Sequence, residues 1–184
     1  MFDILLITGA AGSGKSSTAQ AWAASRRDIC AHLSHDDVTL FIKSGFVSPA
    51  QQNTEEAERQ WRIALTICSN TAQLYAKEGI RCAIDTFLLP HALPFWQGLS
   101  HLRVGLLVLQ PPVEFAVDRN SMRIQHSGWG VPSWHVYENH AAMRAWEGHP
   151  AALVLDNASL SVDQVVESID AWEQHSLPTS LWAV

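Results

Sequence analysis

Short apolar runs and longer segments with helical periodicity alternate along this chain. The runs Phe2–Thr8, Cys30–Ser34, Ile80–Asp85, Val104–Leu109 and Ala152–Leu155 have the length and continuity of strands buried on both faces, as in a parallel sheet. Between them, helical spacing predicts helices over Lys15–Ser25, Thr54–Lys77, Pro112–Met122, Pro132–Trp146 and Ser161–Glu173,. The second of these is expected to stop before Gly79. The last opens on Ser161 with Gln164 three residues on, the spacing of a capping box. A second strand run is followed by Val38, where a further short segment is expected to begin. Strands alternating with helices predict an α/β fold, a five-stranded parallel sheet with helices on both faces. From Arg119 to Pro132 the periodicity fades into a stretch containing Gly128 and Gly130, so a small mobile lid is expected near residues 119–132.

Composition narrows the class. At 184 residues and 47% hydrophobic, residues 1–184 are expected to form a single domain with an ordinary core. The longest apolar stretches, such as Leu106–Leu109, are far too short to span a bilayer, and no membrane partner is expected. Met1-Phe2-Asp3-Ile4 carries an acid where a leader peptide needs a cation, so it reads as the approach to a strand. Cys30, Cys68 and Cys82 are an odd number at wide spacing, fitting neither a disulfide framework nor a zinc site, and a cytoplasmic location is expected. Twelve Lys and Arg against 18 Asp and Glu give a net charge of −6. That balance offers no basic footprint for a polynucleotide.

Gly9-Ala10-Ala11-Gly12-Ser13-Gly14-Lys15-Ser16, with Ser17 following, satisfies G-x-x-x-x-G-K-[ST] at each fixed position, after a strand and at the head of a helix. The chemistry explains the residue types. Glycines let backbone N–H groups curl around the β-phosphate, the helix N-terminus adds partial positive charge, Lys15 reaches the β- and γ-oxygens, and the Ser16 hydroxyl joins a Mg²⁺ shell. A nucleoside triphosphate, ATP or GTP, with Mg²⁺ is therefore expected.

Ser34-His35-Asp36-Asp37 lies at the carboxyl end of the second strand run, where open α/β sheets put their crevice. Asp36 is the candidate to face the γ-phosphate and an acceptor hydroxyl; the alternative is that the pair simply caps the following helix. His35 could line the acceptor pocket. Asp85 ends the third strand run beside Thr86; it could hold magnesium directly or through water, orient the acceptor, or make only a loop hydrogen bond. Arg119 and Arg123 are four apart, hence on one helical face, and lead into the lid, from which a guanidinium can reach a transferring phosphoryl group. The alternative is a solvated face paired with Glu114 or Asp118. His126, His135, His140 and His149 lie at intervals that suit no metal site. Of the tryptophans, Trp22, Trp61, Trp146 and Trp172 read as core residues of helices, whereas Trp129, flanked by glycines in the lid, is a binding candidate.

Taken together, Gly9–Ser16, Ser34–Asp37, Ile84-Asp85-Thr86 and the stretch Asp118–Arg123 resemble, in order and spacing, the small ATP-binding P-loop kinases of the zeta-toxin and polynucleotide-kinase type. Chloramphenicol phosphotransferase and the gluconate and shikimate kinases are more distant relatives of that group. The resemblance implies a P-loop three-layer sandwich. It puts the general base on Asp36, acceptor positioning on Asp85, phosphate contacts on Arg119 and Arg123, and the border of the nucleotide base on the loop Val154–Ala158, hence on Asn157. One position departs: polynucleotide kinases carry an arginine three residues after the base, and here it is Thr39.

The function expected is transfer of the γ-phosphate to a hydroxyl of a small molecule, with Lys15, Asp36, Arg119 and Arg123 as the catalytic set. The acceptor is expected against the region from Asp36 to Arg62, where Phe41, Phe46 and Trp61 with few charges suggest an amphipathic compound. Two rivals remain: a polynucleotide or nucleotide kinase, marked by a contiguous basic surface of Lys43, Arg59, Arg62 and Arg81, and a regulatory NTPase, which would have no acceptor pocket.

Overall fold

A computed structural model of the chain describes residues 1–52, 54–128, 130–175 and 180–182. Strands β1 (Ile4–Gly9), β2 (Cys30–Ser34), β3 (Arg81–Asp85), β4 (Val104–Leu109) and β5 (Ala152–Leu155) form one sheet in the order β2-β3-β1-β4-β5, with every pairing parallel. The strand side chains alternate between two apolar layers, so both faces must be covered. Ile4 and Leu6 of β1 join Ile84 of β3 and Leu106 of β4 on one face, which is closed by helix α3 (Glu55–Lys77) through Leu65 and Cys68. Leu5, Ile7 and Leu107 point the other way, onto Trp22 of α1 (Lys15–Ala24) and Val165 and Ile169 of α6 (Val162–His175). The result is the expected three-layer sandwich.

Helix ends follow local chemistry. The Thr54 hydroxyl caps α3 by accepting from the Ala57 N–H at 3.2 Å, and Gly79, at φ 72°, takes the left-handed turn beyond it,. The capping box of α6 is reciprocal: the Ser161 N–H donates to Gln164 Oε1 at 2.8 Å, and the Gln164 N–H to Ser161 Oγ at 3.2 Å,. After β2 the chain enters a short helix α2 (His35–Thr39). After β3 it runs through a 3-10 segment, Pro90–Leu99, that no periodicity foretold; its Trp96 is fully buried. Proline at its start and at Pro94 explains why the segment is 3-10 rather than α.

The lid region differs from expectation. Helix α4 does not fade near Met122 but runs as Val113–Ser127, because residues 120–127 contain no proline or glycine to stop it; Gly128 in the left-handed region then ends it. The chain returns to α5 (Ser133–Ala142), which passes into the 3-10 turn Met143–Trp146. Asn120, fully buried in α4, clasps that return: its Nδ2 donates to the Val131 carbonyl at 2.7 Å and its Oδ1 accepts from the Val131 N–H at 3.3 Å. Trp129, the lid candidate, lies outside the described residues. Among the described residues no helix is long and apolar enough to cross a membrane.

Candidate active site

β1 is flanked by β3 on one side and β4 on the other, so connections diverge at its carboxyl end and open a crevice there,. Gly9 at φ 149° starts the turn out of the strand, and a Cβ on it would lie 2.5 Å from the Leu109 carbonyl oxygen. Gly12, at φ 82°, is more constrained, since a Cβ there would meet the Ala116 carbonyl at 2.1 Å. Helix α4 therefore presses directly on the loop. Gly14, at φ 98°, precedes α1, whose first turn has neither a side-chain cap nor an acid. Its leading N–H groups stay available to an anion, reinforced by the helix dipole.

The residues of the loop divide the work. Ala10 and Ser13 are buried and act through backbone: the Ala10 carbonyl accepts from Lys15 Nζ at 3.0 Å, and the Ser13 carbonyl accepts from Asn157 Nδ2 at 2.9 Å. Burial pulls the Lys15 ammonium below its ordinary pKa, while Asp36 and Asp85 pull the other way and Arg123 adds to the lowering. Gly9, Ala11, Gly12, Gly14, Ser16 and Ser17 line the crevice, as does Asn157, whose buried Oδ1 has no partner among the described residues.

Asp85 sits behind this wall. It is 2% exposed; its Oδ2 accepts from the Ser16 hydroxyl at 2.8 Å and its Oδ1 meets His32 Nε2 of β2 at 2.5 Å. Residues present here fit Mg²⁺: a hydroxyl and a carboxylate, both hard oxygen donors, stand together at the head of the phosphate cradle, and among the described residues no cluster of three or more His, Cys, Asp or Glu competes for a softer ion,. The acceptor-positioning role expected of Asp85 is not supported, because it does not line the cavity and both its oxygens are engaged. His32 was missed; its partner lies 53 residues away, across the β2–β3 pair.

Asp36 does face the crevice, and its charge acts on Lys15 there. Neither Asp36 nor Asp37 is the helix cap, since Ser34 occupies that position; Asp36 sits within the first turn, where a carboxylate is favoured by the helix dipole. His35 is 2% exposed. Burial pushes its pKa below the usual histidine range against the pull of its hydrogen bond to the Trp61 carbonyl at 3.3 Å. From α4, Arg119 and Arg123 both line the cavity. Arg119 lies over the Phe115 ring beside Gly14, Arg123 donates to Asn120 Oδ1 at 3.1 Å, and neither has an ion-pair partner among the described residues.

Two expectations about the acceptor region are corrected, for Arg62 and Phe41. Arg62 is not in the crevice: one residue on from Trp61 it turns to the outer face of α3, where it pairs with Glu58 at 3.1 Å, because successive helical positions are about 100° apart. Trp61 itself does both: half-buried, it packs against the core and walls the cavity, as the acceptor region was expected to. Phe41 is 67% exposed and outside the cavity. The basic surface that would mark a polynucleotide kinase is broken up: Arg59 pairs with Glu56, Arg62 with Glu58, and Arg81 with Glu173 at the opposite end of the strands.

The cavity holds about 1100 Å³ and continues past the phosphate loop to Phe46, Trp61, Phe87, His91, His135 and Asn139. No protein-family model matches the chain, and no curated protein does. Solved structures do. A sugar kinase from a Janibacter species matches with a TM-score of 0.66 at 20% identity, covering 95% of each chain. A shikimate kinase from Acinetobacter baumannii, solved with shikimate, matches at 0.62 and 15% identity over 93% of this chain and 92% of that one. The tunicamycin resistance protein of Deinococcus radiodurans matches at 0.60 and 19% identity over 92% and 94%. With its phosphate loop leading from β1 into α1 and its strands in the order 2-3-1-4-5, the chain has the fold of the P-loop kinases.

Proposed function

We propose that the protein is an ATP- and Mg²⁺-dependent phosphotransferase whose acceptor is a small-molecule hydroxyl, built as one P-loop kinase domain. The observation that carries this reading is the single cavity containing both the phosphate cradle and Asp36, with room beyond for a second substrate. A drug-sized ligand needs about 300–1,000 Å³; a triphosphate and an acceptor together account for the larger space here, which a nucleotide-only switch would not need.

In this reading the loop amides, Lys15 and the N-terminus of α1 bind the β- and γ-phosphates. Ser16 and Asp85 would hold Mg²⁺, which when bound neutralises charge on the phosphate oxygens, and His32 fixes the orientation of Asp85,. Asp36 accepts the acceptor's hydroxyl proton. The acceptor oxygen bonds to the γ-phosphorus as the bond from that phosphorus to the β-γ bridging oxygen breaks, giving a phosphate ester and a nucleoside diphosphate. Arg119 and Arg123 meet the transferring group from α4, and Asn157 borders the nucleotide.

The test is γ-phosphate transfer from labelled ATP to a panel of sugars, antibiotics, nucleosides and oligonucleotides, followed by Asp36→Asn. Because Asp36 lies inside the first turn of α2 rather than at its N-cap position, this substitution keeps fold and ATP binding while transfer falls by about 10²–10⁴-fold,. Asp37→Asn, the control, stays near wild type. Full transfer by Asp36→Asn would remove the base from this position.

A further inference from the structure

The acceptor end of the cavity has a chemistry of its own. Its apolar walls come from separate elements: Trp61 from α3, Phe87 and Leu89 from the segment after β3, and Phe46 and Pro49 from the loop before α3. Its polar side chains away from Asp36 include His91, His135 and Asn139. His135 and Asn139 are one turn apart on α5, so they share a face, and both line the cavity; neither side chain has a hydrogen-bond partner among the described residues,. The fold fixes α5 on this side: the 3-10 turn continuing it places Trp146, whose Nε1 donates to the Leu88 carbonyl at 2.8 Å, against the segment carrying Phe87 and Leu89.

Charge is as informative as shape. Among the described residues lining the cavity, the full cations are Lys15, Arg119 and Arg123, which belong to the phosphate end, and Asp36 is the one carboxylate. A carboxylate or phosphate on the acceptor would find no dedicated guanidinium and would lie near Asp36; an ammonium would have only the base itself to pair with. An anion would be desolvated without a partner, and a cation would tie up the carboxylate that must take the hydroxyl proton. Desolvation also lowers the pKa of His135, which favours its neutral ring, though Glu138 opposes the shift.

We propose, resting on the phosphotransferase reading above, that the acceptor is an uncharged alcohol with an aromatic or similarly broad apolar body, clasped by Trp61, Phe46 and Phe87 and oriented by hydrogen bonds to His135 and Asn139. The aromatic walls take the body, since stacked and edge-on rings bind flat apolar surface well. Two unpaired polar heads on α5 read the hydroxyls.

Four matched probes test this: glucose, phenyl β-D-glucoside, phenyl β-D-glucuronide and phenyl β-D-glucosaminide, which add in turn the ring, the anion and the cation. Their affinities are measured calorimetrically on the full chain with MgADP present, alongside MgATP binding alone. Phenyl glucoside binds at least about tenfold tighter than glucose and than either charged analogue. His135→Ala and Asn139→Ala each weaken phenyl glucoside about tenfold and leave MgATP affinity unchanged; Trp61→Leu weakens phenyl glucoside but not glucose. Preference for the glucuronide or the glucosaminide, no binding of phenyl glucoside, or indifference to both α5 substitutions overturns the proposal. Loss of MgATP binding by the wild-type protein would instead overturn the phosphotransferase reading.

Discussion

The two ends of the one cavity are built in opposite ways. The end proposed to hold phosphate is made by consecutive residues, Gly9 to Ser17, and mostly by backbone: amides at the head of α1, the Ala10 and Ser13 carbonyls, and glycines whose Cβ atoms would strike Leu109 or Ala116. The end proposed for the acceptor is made by side chains from α2, the loop before α3, α3, the segment after β3 and α5, elements scattered along the chain. A backbone cradle tolerates almost no change at its glycines yet can recur in many sequences, because what it binds is always a phosphate. A side-chain pocket tolerates much and can be re-cut for each new substrate.

Three substitutions sharpen that contrast, the largest effect first. Lys15→Ala strikes the phosphate end at its one indispensable side chain. Losing it should remove about 3–4 kcal/mol of transition-state stabilisation, comparable to one oxyanion donor, and with it nearly all transfer, while the melting temperature holds because the Nζ contact is a single bond to the Ala10 carbonyl. Retained ATP turnover in purified Lys15→Ala would refute the assignment of the phosphate cradle. Arg123→Ala comes next. Its guanidinium rests on Asn120 in this structure rather than on the loop, so it should lower kcat by about tenfold or more with little change in the KM for ATP; an equal loss in nucleotide affinity would make it a ground-state clamp. Arg62→Ala should change neither kcat nor any KM by more than about twofold, since an exposed pair such as that with Glu58 contributes little,. A tenfold rise in acceptor KM for that variant would restore it to the pocket.

The same contrast explains what could be read from the sequence. The strands are legible to within two residues because a doubly buried strand needs an unbroken apolar run, and the phosphate loop is legible because its chemistry is contiguous. Asp36 is legible as a strand-end acid, and its capping alternative falls only because the N-cap position of α2 belongs to Ser34. Arg62 was misassigned because helix phase, not neighbourhood, decides which side chain enters a cavity: Trp61, one position earlier, does line it. His135 and Asn139 were not singled out as acceptor residues at all; their spacing is ordinary, and only the docking of Trp146 against Leu88 gives it meaning. His32 escaped for the same reason, its partner being on another strand.

The Asn120 clasp has a mechanical consequence. Because one buried amide ties Val131 to the middle of α4 by both of its ends, and Gly130 lies against Ile124 so closely that even a Cβ would collide at 2.3 Å, the second half of α4 and the start of α5 form a stiff lever rather than a loose strap. Any swing of that lever carries Arg123 and His135 together. A movement that brings positive charge onto the γ-phosphate thus also shuts the wall against the acceptor, so the two substrates would be gripped in one stroke.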